Sequence, residues 1–350
     1  MGLLQQLAKQ WSRLSTSGKN LFSTQHASIG GMLTHTPAKE RFSLNDVNDK
    51  LLAIQNELKN HANLTPHAKM QLSIEAEQLS QTELGRFLIT NNGAFSGWWT
   101  YYCILGYKQY EITNPVEQFI LEKAPGFLST RERFGHFQSV MQKVVEKSCH
   151  ENQSIKMASI PGGMAADLLT LDTTLDLKPG QLQFVNIDLD EAVFSLSQNL
   201  AKQLDCKIPL ECRHEDAWKL SANEEFDLVA SSGLNIYVPE REKVITLYEN
   251  LLKTLKPGGT LVTSSLTPPP NNEKCEWNMK NIDQTALARQ IGIFAQILQA
   301  TWSNYCTTDE MIERLTEAGF VDIKVIPDSR NMFPTFVGHK ASTLTHIDSI

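Results

Sequence analysis

A glycine turn between two apolar runs is the feature that most restricts the fold of this chain. An apolar run at residues 157–160 leads into a Gly-Gly pair at 162–163, and a helix-prone run follows at 165–171. A second apolar run, at 182–187, ends in Asp188. The pattern predicts a strand, a tight turn, a helix and a second strand. Because glycines let a backbone approach a ligand and a carboxylate can bind both ribose hydroxyls, a nucleoside-containing ligand is consistent with it.

The alternation of strand and helix continues towards the end of the chain. Short apolar runs predict strands, and apolar residues at every third or fourth position predict helices. Strands that alternate with helices are typical of a mostly parallel sheet with helices on both faces. The predicted fold class is therefore α/β, with seven strands. Beyond the first two, the predicted strands are 210–212, 226–230, 260–264, 320–326 and 335–338, and the predicted helices are 191–200, 240–255 and 308–318.

Six short motifs occur in a defined order in the region 155–340. They are Pro161-Gly162-Gly163, Ile187-Asp188-Leu189-Asp190, Glu215-Asp216-Ala217, Phe226-Asp227-Leu228-Val229, Leu255-Lys256-Pro257-Gly258-Gly259 and Glu317-Ala318-Gly319-Phe320. Together they resemble the class I, Rossmann-like methyltransferases that use S-adenosylmethionine. The resemblance covers a little over half the chain, and its strength lies in the order and spacing of the motifs.

The first loop departs from the family pattern. In the family it usually begins with an acidic residue and carries three glycines, whereas the corresponding positions here are Ser159, Pro161, Gly163 and Ala165. The family acid helps to hold the ammonium group of the methionine moiety, and a serine brings no charge. Asp167 could take its place from the first helical turn, or it could simply stabilise the positive end of that helix.

The resemblance implies a set of cofactor-binding residues. Asp188 is expected to bind the ribose, although an aspartate here can also cap the following helix. Asp216 corresponds to the acid near the adenine amino group, and Arg133 is a candidate for the methionine carboxylate or for a surface ion pair. The full expected set is Pro161, Gly162, Gly163, Asp188, Leu189, Asp216, Ala217, Trp218, Ser231, Gly233 and Arg133.

Candidates for a catalytic role follow from the chemistry of methyl transfer. The reaction is an in-line displacement at a sulfonium, so the enzyme mainly aligns the reactants and excludes water. A base is needed only where the nucleophile carries a proton that must leave early. Asn235 and Tyr237, after the fourth strand, and His136, which could equally be structural, are the catalytic candidates. The run Gly-Leu-Asn-Ile-Tyr at 233–237 lacks the Asn-Pro-Pro-aromatic motif, which argues against adenine methylation.

The N-terminal part also resembles a bacterial subgroup of these enzymes with an unassigned substrate. The matching runs are Gly-Trp-Trp-Thr at 97–100 and Arg-Phe-Gly-His-Phe at 133–137. Trp98, Trp99, Tyr101 and Tyr102 could line a pocket or simply pack the helical segment. Helical periodicity at 45–59 and 67–83 predicts a helical cap. The predicted organisation is a basic arm at 1–40, the cap at 41–150, a Rossmann-like domain at 151–340 with a lid insertion at about 270–306, and a tail at 341–350.

Charge and cysteine content limit the partners. Residues 1–39 contain four basic and no acidic residues, whereas the whole chain has a net charge of −7. The arm carries an apolar stripe, so it could dock on a partner, fray, or, less favoured, lie on a membrane surface. An acidic surface disfavours nucleic acid. The six cysteines show no metal-binding spacing, which predicts free thiols and no metal, and the insertion leaves a homodimer open.

The sequence therefore predicts a cytoplasmic S-adenosylmethionine-dependent methyltransferase that acts on an O, N or C nucleophile of a small-molecule acceptor. The alternative is a non-catalytic S-adenosylmethionine-binding or regulatory protein on the same fold. An aminopropyl transferase would need an acidic pair after the fourth strand, and residues 231–237 contain no acid. An NAD-dependent oxidoreductase would need the three-glycine spacing that the first loop lacks.

Overall fold

Two compact units make up the chain in this computed structural model, which describes residues 43–151, 153–171, 178, 180–300 and 304–342. Of the described residues, the first unit contains those from 43 to 132, those from 267 to 300 and Ser329–Met332, and the second unit contains the others. The segment inserted after the fifth strand thus belongs to the same unit as the N-terminal helices. The basic arm, with its predicted apolar stripe at Leu3, Leu4, Leu7, Trp11 and Leu14, lies outside the described residues.

Polar capping residues divide the first unit into short helices. Ser43 begins the first helix with a capping box to Asp46, and Thr65, Thr82 and Ser96 accept backbone N–H groups at the starts of later helices. The predicted helix at 67–83 ends at Ser80 because Thr82 caps a new helix. The helices are Leu44–Asn60, Pro66–Ser80, Glu83–Thr90, Gly97–Ile104 and Pro115–Glu122, with a 3-10 turn at Gly106–Gln109. A long helix, Pro125–His150, begins here and continues into the second unit.

The aromatic run packs within the first unit. Trp99 and Tyr102 meet edge to face with ring centroids 5.3 Å apart, and the Tyr102 hydroxyl donates to Glu117 at 2.9 Å. The inserted helix Gln284–Ile291 continues with wider turns over Gly292–Ile297 and supplies apolar residues to the same core. These contacts support the packing interpretation of the aromatic run.

The second unit is built on a seven-stranded sheet in the order β3-β2-β1-β4-β5-β7-β6. Strand β7 runs opposite to the other six described strands, so the sheet is mostly parallel. The predicted Rossmann-like α/β fold is confirmed. Buried strands of this kind need helices on both faces. The strands are β1 Ile155–Ser159, β2 Leu182–Asp188, β3 Leu210–His214, β4 Phe226–Ser231, β5 Leu255–Ser264, β6 Phe320–Ile326 and β7 Thr335–Lys340. The helices between them are Ala166–Leu169, Ala192–Gln203, Arg241–Thr254 and Thr308–Glu317.

The fifth strand begins earlier than its sequence indicates. Leu255 pairs with Phe226 and Thr260 pairs with Leu228, so the predicted turn at 256–259 is a bulge inside β5. Gly258 adopts a φ of +78°, which a glycine tolerates readily. Among the described residues, no helix is long and apolar enough to span a membrane.

Candidate functional site

The carboxyl ends of β1 and β4 form the point where the sheet changes direction. From β1 the chain proceeds outward to β2 and β3, whereas from β4 it proceeds the other way to β5. Open α/β sheets bind ligands outside the carboxyl ends of strands at such a switch point. The predicted cofactor-binding residues other than Arg133 follow β1, β2, β3 and β4, so the topology brings them to this edge.

The glycine turn is held against β2 by hydrogen bonds. The Gly162 N–H donates to the Ile187 carbonyl at 2.9 Å, and the Gly163 N–H donates to Asp188 Oδ2 at 2.7 Å. The Asn186 amide returns a bond to the Gly163 carbonyl at 2.9 Å. A Cβ at position 162 would lie 2.0 Å from Asn186 Oδ1, so only glycine fits there. Asn186, which the sequence analysis missed, thus determines the residue type of the turn.

The substituted positions of the loop retain a glycine-type backbone. Gly163 has a φ of +52° and Ala165 has a φ of +51°, although an alanine in the left-handed region is disfavoured by about 1–2 kcal/mol. Pro161, at the position of the first family glycine, follows a cis peptide bond. The loop therefore keeps two residues in the left-handed region, although only one of the three family glycines is present.

Asp167 brings a carboxylate to the position where the family has its acid. Its Oδ2 accepts a hydrogen bond from Ser159 Oγ at 2.7 Å, and its Oδ1 accepts from the Leu168 N–H at 3.0 Å. Burial raises the pKa of Asp167 to about 6, against the lowering effect of these bonds. The helix in which it lies, Ala166–Leu169, is only four residues long, so stabilisation of a helix end accounts poorly for a half-buried acid.

Asp188 is hydrogen-bonded to the backbone on both sides, and its contact with the ribose stays a prediction. The residue is 1% exposed, and while one oxygen binds Gly163, Oδ1 accepts the Asp190 N–H at 2.9 Å in a local turn. The next helix begins at Ala192 with Glu191 as its N-cap residue, so Asp188 does not cap it. A carboxylate offers about four acceptor positions, so two bonds leave capacity for ribose hydroxyls. The neighbouring Leu189 is 37% exposed and provides an apolar surface beside it.

The residues after β3 form a local turn. Asp216 Oδ1 accepts the Trp218 N–H at 3.0 Å, and the Trp218 indole donates to the Lys243 carbonyl at 3.3 Å. Ala217 is buried. These bonds fix the loop near the edge of the sheet, while a contact between Asp216 and adenine stays a prediction.

The loop after β4 exposes backbone and ends in two polar side chains. Gly233 has a φ of +92°, and a Cβ added there would meet nothing within 4 Å. Ser231 is buried, and its carbonyl accepts from Thr263 Oγ1 at 2.8 Å. Asn235 and Tyr237 lie in the 3-10 turn Leu234–Tyr237, and neither side chain has a hydrogen bond to the described part of the chain.

Arg133 lies beside β5 rather than beside the glycine turn. Its Nη1 donates to Ser264 Oγ, at the end of β5, at 3.1 Å. His136, three residues further along the same helix, has a buried Nδ1 without a hydrogen-bond partner in the described chain. A contact between Arg133 and the methionine carboxylate stays a prediction.

Comparisons with known proteins decide the family. Residues 168–263 match the model of a methyltransferase domain. A crystal structure described as a possible exported protein from Bordetella parapertussis is 30% identical, covers 88% of this chain and 99% of its own, and superposes with a TM-score of 0.78. The chain belongs to the class I S-adenosylmethionine-dependent methyltransferases.

Two further solved structures of methyltransferases are similar to this chain at lower identity. The CurJ carbon methyltransferase is 13% identical over 98% of this chain and 81% of its own, with a TM-score of 0.46. The magnesium protoporphyrin IX methyltransferase from Synechocystis PCC 6803, solved with bound SAH, is 14% identical over 69% and 97%, with a TM-score of 0.42. No curated protein matches the chain.

S-adenosylmethionine is the cofactor of this methyltransferase, and the residues present fit it. A buried carboxylate follows β2, a second one adjoins Ser159 at the end of β1, and the turn between them accepts only glycine at position 162. The second carboxylate supplies the negative charge that the first loop lacked in sequence.

Proposed function

We propose that this methyltransferase transfers the methyl group to an O, N or C nucleophile of a small molecule. Bound S-adenosylmethionine supplies a methyl group on a positively charged sulfur. The observation that carries the proposal is the loop after β4, where Asn235 is buried and Tyr237 half-buried, and neither side chain is hydrogen-bonded within the described chain. Polar groups of this kind can orient a nucleophile through hydrogen bonds.

The charge of the chain supports a small-molecule acceptor over nucleic acid. The net charge is −7, and binding to a phosphate backbone requires a basic surface. We therefore propose that neither DNA nor RNA is a partner. A homodimer stays open, and contact of the basic arm with a membrane stays the less favoured alternative for that arm.

The experiment that tests the acceptor class uses S-adenosylmethionine labelled in its methyl group. Label should move into the small-molecule fraction of a cell extract, and not into added RNA, DNA or protein. Tyr237→Phe and Asn235→Ala should lower kcat while leaving cofactor affinity within about threefold, because they remove acceptor-side groups only. Label that moves into a macromolecular fraction would refute the small-molecule proposal.

Asp167, in this proposal, binds the ammonium group of the methionine moiety. Only the ionised carboxylate attracts a cation, and the pKa of Asp167 is about 6. Cofactor affinity should therefore rise about tenfold from pH 5 to pH 7 and then level off. Binding should in turn lower the pKa of Asp167.

Titration calorimetry across this pH range checks the role of Asp167. Asp167→Asn should bind S-adenosylmethionine weakly, with an affinity that does not change over this pH range. Any pH dependence left in this variant comes from the ligand itself. Ser159→Ala removes a hydrogen bond that lowers the pKa of Asp167, so its profile should move to higher pH. Identical pH dependence in the wild type and Asp167→Asn would show that Asp167 does not bind the ammonium.

We also propose a cytoplasmic location, which rests on the cysteines. None of the six cysteines forms a disulfide with another, and Cys103 and Cys306 are buried. Proteins of oxidising compartments commonly pair their cysteines. The Bordetella relative is described as a possible exported protein, which points the other way. Fractionation of cells of the native host tests the location. Detection of the chain outside the cytoplasm would contradict the proposal and show export.

A further inference from the structure

Arg133 is a buried cation on an otherwise apolar helix face. It recurs with Phe137, Met141 and Val145 at every fourth position of Pro125–His150, and its side chain is only 7% exposed. Its guanidinium lies 5.3 Å from the centroid of the Phe333 ring. An arginine here interrupts a buried apolar stripe, so its charge needs an explanation.

The charge of Arg133 is incompletely satisfied by the described chain. A guanidinium carries several N–H donors, and the single hydrogen bond of Arg133 goes to the neutral Ser264 hydroxyl. Arg213 shows the contrast, because it binds the Glu225 carboxylate at 2.6 Å. No described carboxylate lies within 4 Å of Arg133. Burial lowers the pKa of Arg133 to about 10, although the electrostatic influence of Tyr237 and of Asp328 raises that pKa.

Hydroxyl groups adjoin this cation. Ser264 on β5 pairs directly with Thr335 on β7, so both side chains stand on the same face of the sheet. The Thr335 hydroxyl is fully buried and has no hydrogen-bond partner in the described chain. Tyr237 lies close enough to influence the pKa of Arg133. Asp328, which influences the pKa of Arg133, accepts the Phe333 N–H at 2.6 Å.

We propose that Arg133, with the hydroxyls of Thr335 and Tyr237, binds a carboxylate group of the methyl acceptor. The site lies at the carboxyl end of β5, next to the strand whose loop carries Asn235 and Tyr237. A carboxylate supplies both the charge that Arg133 lacks and acceptors for the unpartnered hydroxyls. This proposal rests on the proposed small-molecule methylation and names the chemical class of the acceptor.

The test measures binding of small acids to the full chain saturated with S-adenosylhomocysteine. Aliphatic, hydroxylated and aromatic carboxylic acids are each compared with their primary amides, which have similar shape but no charge. At least one acid should bind at least about tenfold more tightly than its amide. In Arg133→Gln this preference should disappear, while Arg241→Gln, which removes an exposed arginine, should retain it.

Two further variants keep the test decisive if Arg133→Gln does not fold. Thr335→Val preserves volume and should weaken binding of the acid several-fold. Arg133→Met should abolish the preference yet raise the Tm of the unliganded protein, since it removes a buried, unpaired charge. If no acid is preferred over its amide, or if the preference survives in the Arg133 variants, the proposal is overturned. A wild type that fails to bind S-adenosylhomocysteine would instead contradict the proposed function.

Discussion

Asp188→Ala should weaken S-adenosylmethionine binding by at least about 100-fold. The carboxylate has capacity for two ribose hydroxyls, and each hydrogen bond to a charged group contributes about 1.5–3 kcal/mol. The variant also leaves the Gly163 N–H without its acceptor at 2.7 Å, which loosens the turn. Asp188→Asn keeps one acceptor oxygen for that N–H and should lose about tenfold, because only the charge is removed.

Titration calorimetry with S-adenosylmethionine checks this prediction, with Asp190→Ala as the matched control. Asp190 carries the same charge two residues away, and its carboxylate accepts the Ala192 N–H. Its removal should change cofactor affinity by less than about threefold. If Asp188→Ala and Asp190→Ala bind equally well, the ribose contact is made elsewhere.

Gly162→Ala should lower the free energy of unfolding by about 2–3 kcal/mol and abolish cofactor binding. Its Cβ would lie 2.0 Å from Asn186 Oδ1 and 2.9 Å from the Ser159 carbonyl, in a buried region that cannot easily relax. Asn186 is fully buried and bonded to Gly163 and Ser197, so it has little freedom to move away.

Denaturant unfolding of a double-mutant cycle tests the clash. Asn186→Gly removes the obstructing amide, so Gly162→Ala should cost at least about 1 kcal/mol less in that background. Gly135→Ala is the control, and it should raise the free energy of unfolding instead of lowering it. A Cβ there meets nothing within 4 Å, and the helix should gain about 0.5–1 kcal/mol. An unchanged cost of Gly162→Ala in the Asn186→Gly background would rule out the clash.

The order of the strands and helices was predictable because their signals are local. Four of the six residues at 182–187 are apolar, as expected of a strand that is largely buried, and the observed strand is Leu182–Asp188. The bulge of β5 was not predictable, because Lys256-Pro257-Gly258-Gly259 has the composition of a turn and only pairing of Leu255 with Phe226 keeps it in the strand.

The site was predictable where it follows strand ends and unpredictable where it depends on long-range contacts. Asp188 and Gly163 were found from the motif pattern, and the structure adds that they bind each other. Replacement of the family acid by Asp167 was foreseen only as one of two alternatives, and its bond to Ser159 was not predictable, since sequence shows no side-chain direction. Thr335 and Ser264 are far apart in the chain and meet only through the antiparallel pairing of β5 with β7.

A crystal structure of the full chain with S-adenosylhomocysteine tests the placement of the cofactor site most directly. We expect the ligand to lie outside the carboxyl ends of β1, β2 and β4. Its ribose hydroxyls should be within hydrogen-bond distance of Asp188, and its amino group should lie beside Asp167. A ligand bound elsewhere, or one whose ribose and amino group contact neither carboxylate, would contradict it.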